Sequence, residues 1–138
     1  MAPPPTKTDE LAAEAFAHFL TGMMKADGVV SLAEEEKVAD LLYKYRKSLP
    51  AEGAPIVYHV QAIKNDLTRV YWTAHQHLDA GFKAFDEFVM SGGERLSYVL
   101  VLREMMHMLM EVDGIDEEEA TFMKKMEAEV VYRYNNYW

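Results

Sequence analysis

Two junctions in the sequence carry carboxylates at similar spacing, ADGVVSLAEEEKV at residues 26–38 and VDGIDEEEATF at residues 112–122. In both, an apolar stretch ends at Asp-Gly, and a β-branched residue, a Ser or Asp and several glutamates follow. Carboxylate oxygens bind hard divalent cations, and they also cap the first turn of a helix. The pattern therefore predicts either a metal site or a capped turn between two helices.

The calcium-binding EF-hand is the known site that the first junction suggests. If Glu34 is the twelfth loop position, Asp27 and Gly28 fall at the fifth and sixth, as that site requires. The first and third positions are then Met23 and Lys25, which cannot chelate calcium. In the second junction the twelfth position falls on an alanine. The residue types therefore exclude an EF-hand.

A second group with metal-binding chemistry lies on an apolar helical segment, where Glu104, His107 and Glu111 share one side. Glu-x-x-His is the spacing by which helices present a carboxylate and an imidazole to di-iron centres. Counting back from the two Asp-Gly pairs aligns Glu104 with His18, which Glu14 precedes by one helical turn. If the two halves pack together, a site for Zn, Mn or Fe would consist of Glu14, His18, Glu104 and His107. A solvated face and an internal salt-bridge network are the alternatives.

The remaining histidines and the methionines point less clearly to chemistry. His75 and His77 are two residues apart and face different sides of a helix, and His59 is isolated, at the surface or between helices. Four of the ten methionines fall between residues 105 and 110, but helical spacing spreads them around the axis, which favours core packing. No phosphate-binding loop, nucleophile elbow or nucleophile-base pair is found, so we expect a protein that is not an enzyme.

Composition limits the cofactors and partners. The chain has no cysteine, so a bound metal would need oxygen or imidazole ligands. The formal net charge of -9 opposes contact with nucleic acid and favours cations or basic proteins. No apolar run is long enough to cross a membrane or to serve as a secretion signal. We expect a cytoplasmic protein with no organic cofactor.

The first half of the chain predicts two helices after a flexible proline-rich leader, residues 1–7, which precedes a single domain, residues 8–138. The first helix is amphipathic, and His18 falls on its polar side. Ser31 followed by Glu34 is a capping box, in which hydroxyl and carboxylate bond the free backbone N–H groups of a first turn. The second helix is therefore expected to begin there.

In the second half, helical spacing over residues 56–89 is too long for one helix, and we expect the break at residues 64–66. The segment 94–112 is apolar almost all round, which is typical of a central, buried helix. Asp116 with Glu119 repeats the capping box and begins the next helix. The aromatic C-terminal tail either packs on the domain or forms a dimer contact. Because no stretch alternates with period two, the predicted fold is all-α, with six or seven helices.

The repeated pattern of Asp-Gly, β-branched residue, cap and glutamates in an acidic helical chain resembles the TerB-like family, named for bacterial tellurite resistance. The resemblance covers roughly Leu11–Met126 and rests on ADGVVSLAEEE and VDGIDEEE. It implies a helical bundle with pseudo-twofold halves and a role in tellurite stress, other chemical stress or phage resistance. The family's acidic positions fall on Asp27, Glu34, Asp113 and Glu119. Because the second loop is one residue shorter, Glu118 is an alternative to Glu119.

Three interpretations of these four carboxylates stay open: helix capping alone, a divalent ion shared by both loops, or an acidic surface that binds a partner protein. We expect a non-enzymatic TerB-like stress-response protein that binds a divalent cation, a protein partner or both through its acidic helix-loop-helix surfaces. The alternatives are a di-metal carboxylate protein with Glu and His ligands, and an adaptor that only contacts other proteins. Homodimer formation is a further alternative.

Overall fold

The computed structural model of the protein describes residues 7–26, 30, 32–44, 56–92, 95–111 and 117–134. These residues form helices and no strand: α1 Lys7–Met24, α2 Leu32–Lys44, α3 Ile56–Leu67, α4 Ala74–Met90, α5 Arg95–Met110 and α6 Glu117–Tyr134. The predicted all-α fold is confirmed. Among the described helices, none is both long and apolar enough to cross a membrane. Lys7 is the first residue of α1, whereas the rest of the predicted leader lies outside the described residues.

The central helix of the bundle is α1, which packs mainly against α4 and α3. Every side chain from Leu11 to Met24 is buried except that of Glu14. Many of these residues are alanines, which lets neighbouring helices approach from several sides. The apolar segment that became α5 was predicted to be central and buried. Its residues Leu102, Met105, Met106 and Leu109 are buried, whereas Leu100, Glu104 and His107 are exposed.

The contact between α1 and α4 is the largest between described helices, and one glycine lies within it. A Cβ atom at Gly81 would lie 2.8 Å from the ring of Phe19, so only glycine admits that ring without a shift. The Phe19 ring also meets Phe82 and Phe85 edge to face, with centroids 5.1 and 6.4 Å apart. Such edge-to-face pairs stabilise beyond the burial of their area. The glycine and the aromatic rings together hold α4 close against α1.

The break between α3 and α4 lies at residues 68–73, later than the predicted break at 64–66. Asn65 stays within α3, where its side-chain oxygen accepts a hydrogen bond of 2.8 Å from Gln61. The start of α4 is set by a capping box: the Thr73 hydroxyl accepts from the Gln76 amide, and the Gln76 side chain accepts from the Thr73 amide. Because α3 continues to Leu67, Asp66 belongs to its last turn and is turned towards α1.

The two acidic junctions are followed by helices as predicted, α2 from Leu32 and α6 from Glu117. Ser31 and Asp116, the predicted capping residues, lie outside the described residues. The helix α1 contacts α6, and α2 contacts α5. Buried apolar residues line the inner faces of both helices: Val38, Leu41 and Leu42 on α2, and Phe122, Met123, Met126 and Val130 on α6.

Candidate metal centre

Three helices bring two imidazoles and a carboxylate together inside the bundle. His18 comes from the middle of α1, Asp66 from the last turn of α3 and His77 from the first turn of α4. All three are buried, with exposed fractions of 4%, 5% and 0%. One ligand atom from each lies within 4.8 Å of the other two, and this is the one such group of three or more among the described residues. We call it the His-Asp-His cluster.

The distances within the cluster are close to those between ligands of one metal ion. His18 Nδ1 lies 3.1 Å from His77 Nδ1 and 3.2 Å from Asp66 Oδ2. Zinc binds nitrogen and oxygen at about 2.0–2.2 Å, which places neighbouring ligands roughly 3.0–3.4 Å apart. The third pair, within 4.8 Å, has to approach the same separation when an ion binds. Two of the three ligand-to-ligand distances that a metal site requires are therefore already present.

Burial keeps both imidazoles of the cluster neutral at pH 7. It lowers the pKa of His18 to about 4, and Arg69 acts in the same direction. It also lowers the pKa of His77 to about 4, with Lys25 as the next cause. For Asp66, burial raises the pKa to about 7, whereas the positive charge of Arg69 opposes this. The contact of 3.2 Å between His18 and Asp66 is therefore not an ordinary ion pair at neutral pH.

The contacts within the cluster all meet at one atom, so a single proton or a single lone pair has to serve two of them. His18 Nδ1 carries either a proton or a lone pair, and it faces two partners at 3.1 and 3.2 Å. If it carries a lone pair, His77 and Asp66 must both donate into that single acceptor. If it carries a proton, both must accept from that single donor. A cation between the three atoms would instead accept a lone pair from each of them at once.

Aromatic and basic side chains surround the cluster. The indole of Trp72 stacks on His18, with centroids 5.7 Å apart and planes at 9°, and its centroid lies 5.1 Å from that of His77. The guanidinium of Arg69 lies over the indole at 4.5 Å, and its Nε is 3.6 Å from Asp66 Oδ1. The indole therefore contacts both the imidazoles and the guanidinium. A change at either imidazole should therefore alter the surroundings of the Trp72 indole.

The cluster has access to solvent on one side. His18 and Asp66 line a surface cleft of about 390 Å³, whose wall also includes Arg69, Asn65 and Glu14. The cleft has space for a hydrated ion to enter. An ion with three protein ligands would keep at least one position for water or another small ligand.

The first predicted set of ligands is described only in part. Asp27 and Asp113 lie outside the described residues, whereas Glu34 and Glu119 are buried with exposed fractions of 3% and 4%. Both glutamates belong to the first turn of a helix, in corresponding positions of the repeat. Glu118, the alternative to Glu119, is exposed. An ion shared by the two loops stays a prediction.

The second predicted set is distributed differently from the prediction. His18 belongs to the His-Asp-His cluster, but Glu14, Glu104 and His107 are exposed and are not part of it. Of these three residues, Glu14 lines the cleft beside the cluster. His18 was assigned to the polar side of an amphipathic helix, yet α3 and α4 cover that side. His18 was thus predicted to be a metal ligand, but with other partners, and metal binding there stays a prediction.

Two residues of the cluster were missed because each had a simpler local explanation. Asp66 was taken as part of a helix break, and His77 was considered only with its neighbour His75. As predicted, the two histidines face different sides: His75 is exposed, with Nε2 3.4 Å from Asp79, whereas His77 is buried. The signal in the sequence was the capping box at Thr73, which would have placed Asp66 and His77 on either side of one short connection.

Comparison with known proteins returned no relative: neither a family model, nor a curated protein, nor a solved structure matches the chain.

Proposed function

We propose that the protein binds one divalent transition-metal ion through Nδ1 of His18, Nδ1 of His77 and Oδ2 of Asp66. The observation that carries this proposal is the convergence of three buried ligand atoms, two of whose separations are 3.1 and 3.2 Å. Two imidazoles and one carboxylate favour Zn, Fe, Co, Ni or Cu over Ca or Mg, which prefer oxygen ligands throughout. The low pKa of both histidines also supports the proposal, because metals bind the neutral imidazole.

We further propose that this ion serves a binding or sensing role rather than catalysis, in a cytoplasmic protein. The TerB-like resemblance connects such a role with the response to chemical stress, and this connection is part of the proposal. The ion would occupy a site inside the bundle, at the contact of α1 with α3 and α4, instead of the acidic loops. Because three helices supply the ligands, the occupied site would stabilise the packing of all three.

The test starts from metal-free protein, prepared with a chelator and titrated with Zn²⁺, Co²⁺, Ni²⁺ and Mn²⁺ by calorimetry. We expect one ion per chain for the wild type, and a loss of affinity of at least about a hundredfold for His77→Ala and Asp66→Asn. Even residues that only orient a ligand typically contribute 10–100-fold. His75→Ala is the matched control, since it removes an exposed imidazole from the same helix and should keep the wild-type affinity.

A second readout places the ion near the cluster. The chain has two tryptophans, so Trp138→Phe leaves Trp72 as the sole source of indole fluorescence. Because the indole stacks on His18 at 5.7 Å, binding of Co²⁺ or Ni²⁺ should quench it strongly. No uptake of any ion by the wild type, or equal losses for His75→Ala and His77→Ala, would overturn the proposal.

The acidic loops are a second candidate site, favoured by the burial of Glu34 and Glu119 at corresponding positions of the repeat. The same titration separates the two sites. Uptake that survives His77→Ala but is lost when Asp27 and Asp113 are both changed to Asn would assign the ion to the loops.

A further inference from the structure

Lys25, the first residue after α1, makes its contacts at the edge of the His-Asp-His cluster. Its Nζ lies 2.8 Å from the carbonyl oxygen of Arg69, 3.3 Å from that of Trp72 and 3.0 Å from Nε2 of His77. An ammonium group has three N–H donors and no acceptor, so three contacts use all of its hydrogen atoms. His77 Nε2 must therefore accept from Lys25.

That hydrogen bond determines which nitrogen of His77 carries the proton. A neutral imidazole has one N–H and one lone pair, and the lone pair on Nε2 is used by Lys25. The proton then belongs to Nδ1, the nitrogen that lies 3.1 Å from His18 Nδ1. In this tautomer, the position that an ion would occupy at His77 is taken by a hydrogen atom.

Binding of an ion at Nδ1 reverses this arrangement. The proton of His77 moves to Nε2, where it points at the ammonium of Lys25, so that a donor faces a donor. Histidines that bind metals usually donate their second nitrogen to a carboxylate, a carbonyl or water, which stabilises the required tautomer. Here the partner is a cation, and it stabilises the other tautomer. Lys25 has to leave His77, and it can keep the carbonyl oxygens of Arg69 and Trp72 as acceptors.

We propose that Lys25 competes with the metal ion for His77 and thereby lowers the affinity of the His-Asp-His cluster for metal. This inference rests on the proposed function. Lys25 acts through His77 and touches no ion itself, so it is a positioning residue. The consequence is a site that releases its ion readily, as a reversible sensor or carrier requires, rather than a permanent structural metal. The same lysine joins the α3–α4 connection to the end of α1, so it links occupancy of the site to that connection.

The first measurement needs no substitution. Long-range ¹⁵N–¹H correlation spectra of the full chain report the tautomer of each histidine, and the resonances of His77 are assigned by comparison with His77→Ala. We expect the proton on Nδ1 in the metal-free wild type, and on Nε2 after addition of Zn²⁺. A metal-free His77 with its proton on Nε2 would overturn the inference without reference to any affinity.

The second measurement is the affinity for Zn²⁺ and Co²⁺ of Lys25→Met, which keeps a side chain of similar length and removes the donor. We expect binding to be tighter by about tenfold or more, since the partner of a ligand histidine typically changes affinity by 10–100-fold. Lys124→Met, at an exposed lysine of α6, removes the same charge elsewhere and should bind as the wild type does. Lys25→Ala is the second variant if circular dichroism finds Lys25→Met unfolded.

The outcomes separate this inference from the proposed function. If neither the wild type nor Lys25→Met takes up an ion, the proposed function fails. If the wild type binds and Lys25→Met binds equally or more weakly, competition by Lys25 is refuted and the metal site stands. If Lys124→Met gains as much affinity as Lys25→Met, the effect is one of net charge and the specific role of Lys25 is likewise refuted.

Discussion

Replacing His59 by leucine should make the protein less sensitive to acid. The side chain of His59 is 1% exposed and packs edge to face against Phe16, at a centroid distance of 6.1 Å. Within the described part of the chain, neither of its ring nitrogens has a hydrogen-bond partner. Burial lowers its pKa from 6.5 to about 4, and the charge of Asp9 opposes this slightly. His59 therefore stays neutral in the folded protein at pH values where the unfolded chain binds a proton.

The sign and size of the effect follow from linkage between proton binding and folding. Because the folded pKa is the lower one, the unfolded state gains protons first as pH falls, and stability is lost between pH 6.5 and about 4. Between pH 7 and pH 5, this costs the folded state roughly 2 kcal/mol. Leucine has a similar volume and no titratable group, so His59→Leu should lack this loss. Removing two buried nitrogens without partners should also stabilise the variant at pH 7, by about 1 kcal/mol or more.

The assay is urea denaturation of both proteins at pH 7 and pH 5, followed by circular dichroism. We expect the stability difference between His59→Leu and wild type to be greater at pH 5 by roughly 2 kcal/mol. His18 and His77 are present in both proteins, so their contributions cancel in the comparison. His107→Leu, at an exposed position, is the reference for removing an imidazole that faces water. An equal stability difference at the two pH values would refute the argument that His59 is buried and neutral.

Two further predictions concern the packing of α4. Gly81→Ala should destabilise the protein by about 1 kcal/mol in urea denaturation. The reason is that a Cβ atom 2.8 Å from the Phe19 ring costs more than the alanine gains in helix propensity. A stabilised variant would mean that the ring moves freely. Thr73→Ala should lower the free energy of unfolding by about 1 kcal/mol in the same assay, since it removes the hydroxyl that accepts from the Gln76 amide at 3.2 Å. Thr73→Ser keeps a hydroxyl and should retain most of that stability. Equal stability of the alanine and serine variants would contradict the capping role.

The helices could be predicted from the sequence because their signals are local. Apolar spacing and acidic first turns depend on neighbouring residues, and α2 and α6 begin close to such signals. The break was wrongly predicted at residues 64–66 because polar residues are typical of loops. Asp66, however, is polar because it faces another polar group inside the bundle. Local pattern alone does not distinguish these two cases.

The candidate site was largely outside the reach of sequence patterns. Its ligands come from residues 18, 66 and 77, on three different helices, so no spacing rule relates them. His18 was placed on the polar side of its helix because an amphipathic pattern assumes that a helix is covered on one side only. The small residues of α1 allow cover on several sides, and which neighbours approach depends on tertiary packing.

The central position of α1 also has a consequence for the order in which the molecule folds. The chain is synthesised from its N-terminus, yet α1 packs mainly against α4, which begins fifty residues after α1 ends. Closing so long a loop costs entropy before any contact compensates for it, which slows folding relative to a bundle of sequential hairpins. Until Ala74–Met90 has been made, the apolar surface of α1 has no partner of comparable size. A nascent chain interrupted before that point would present this surface to chaperones and proteases.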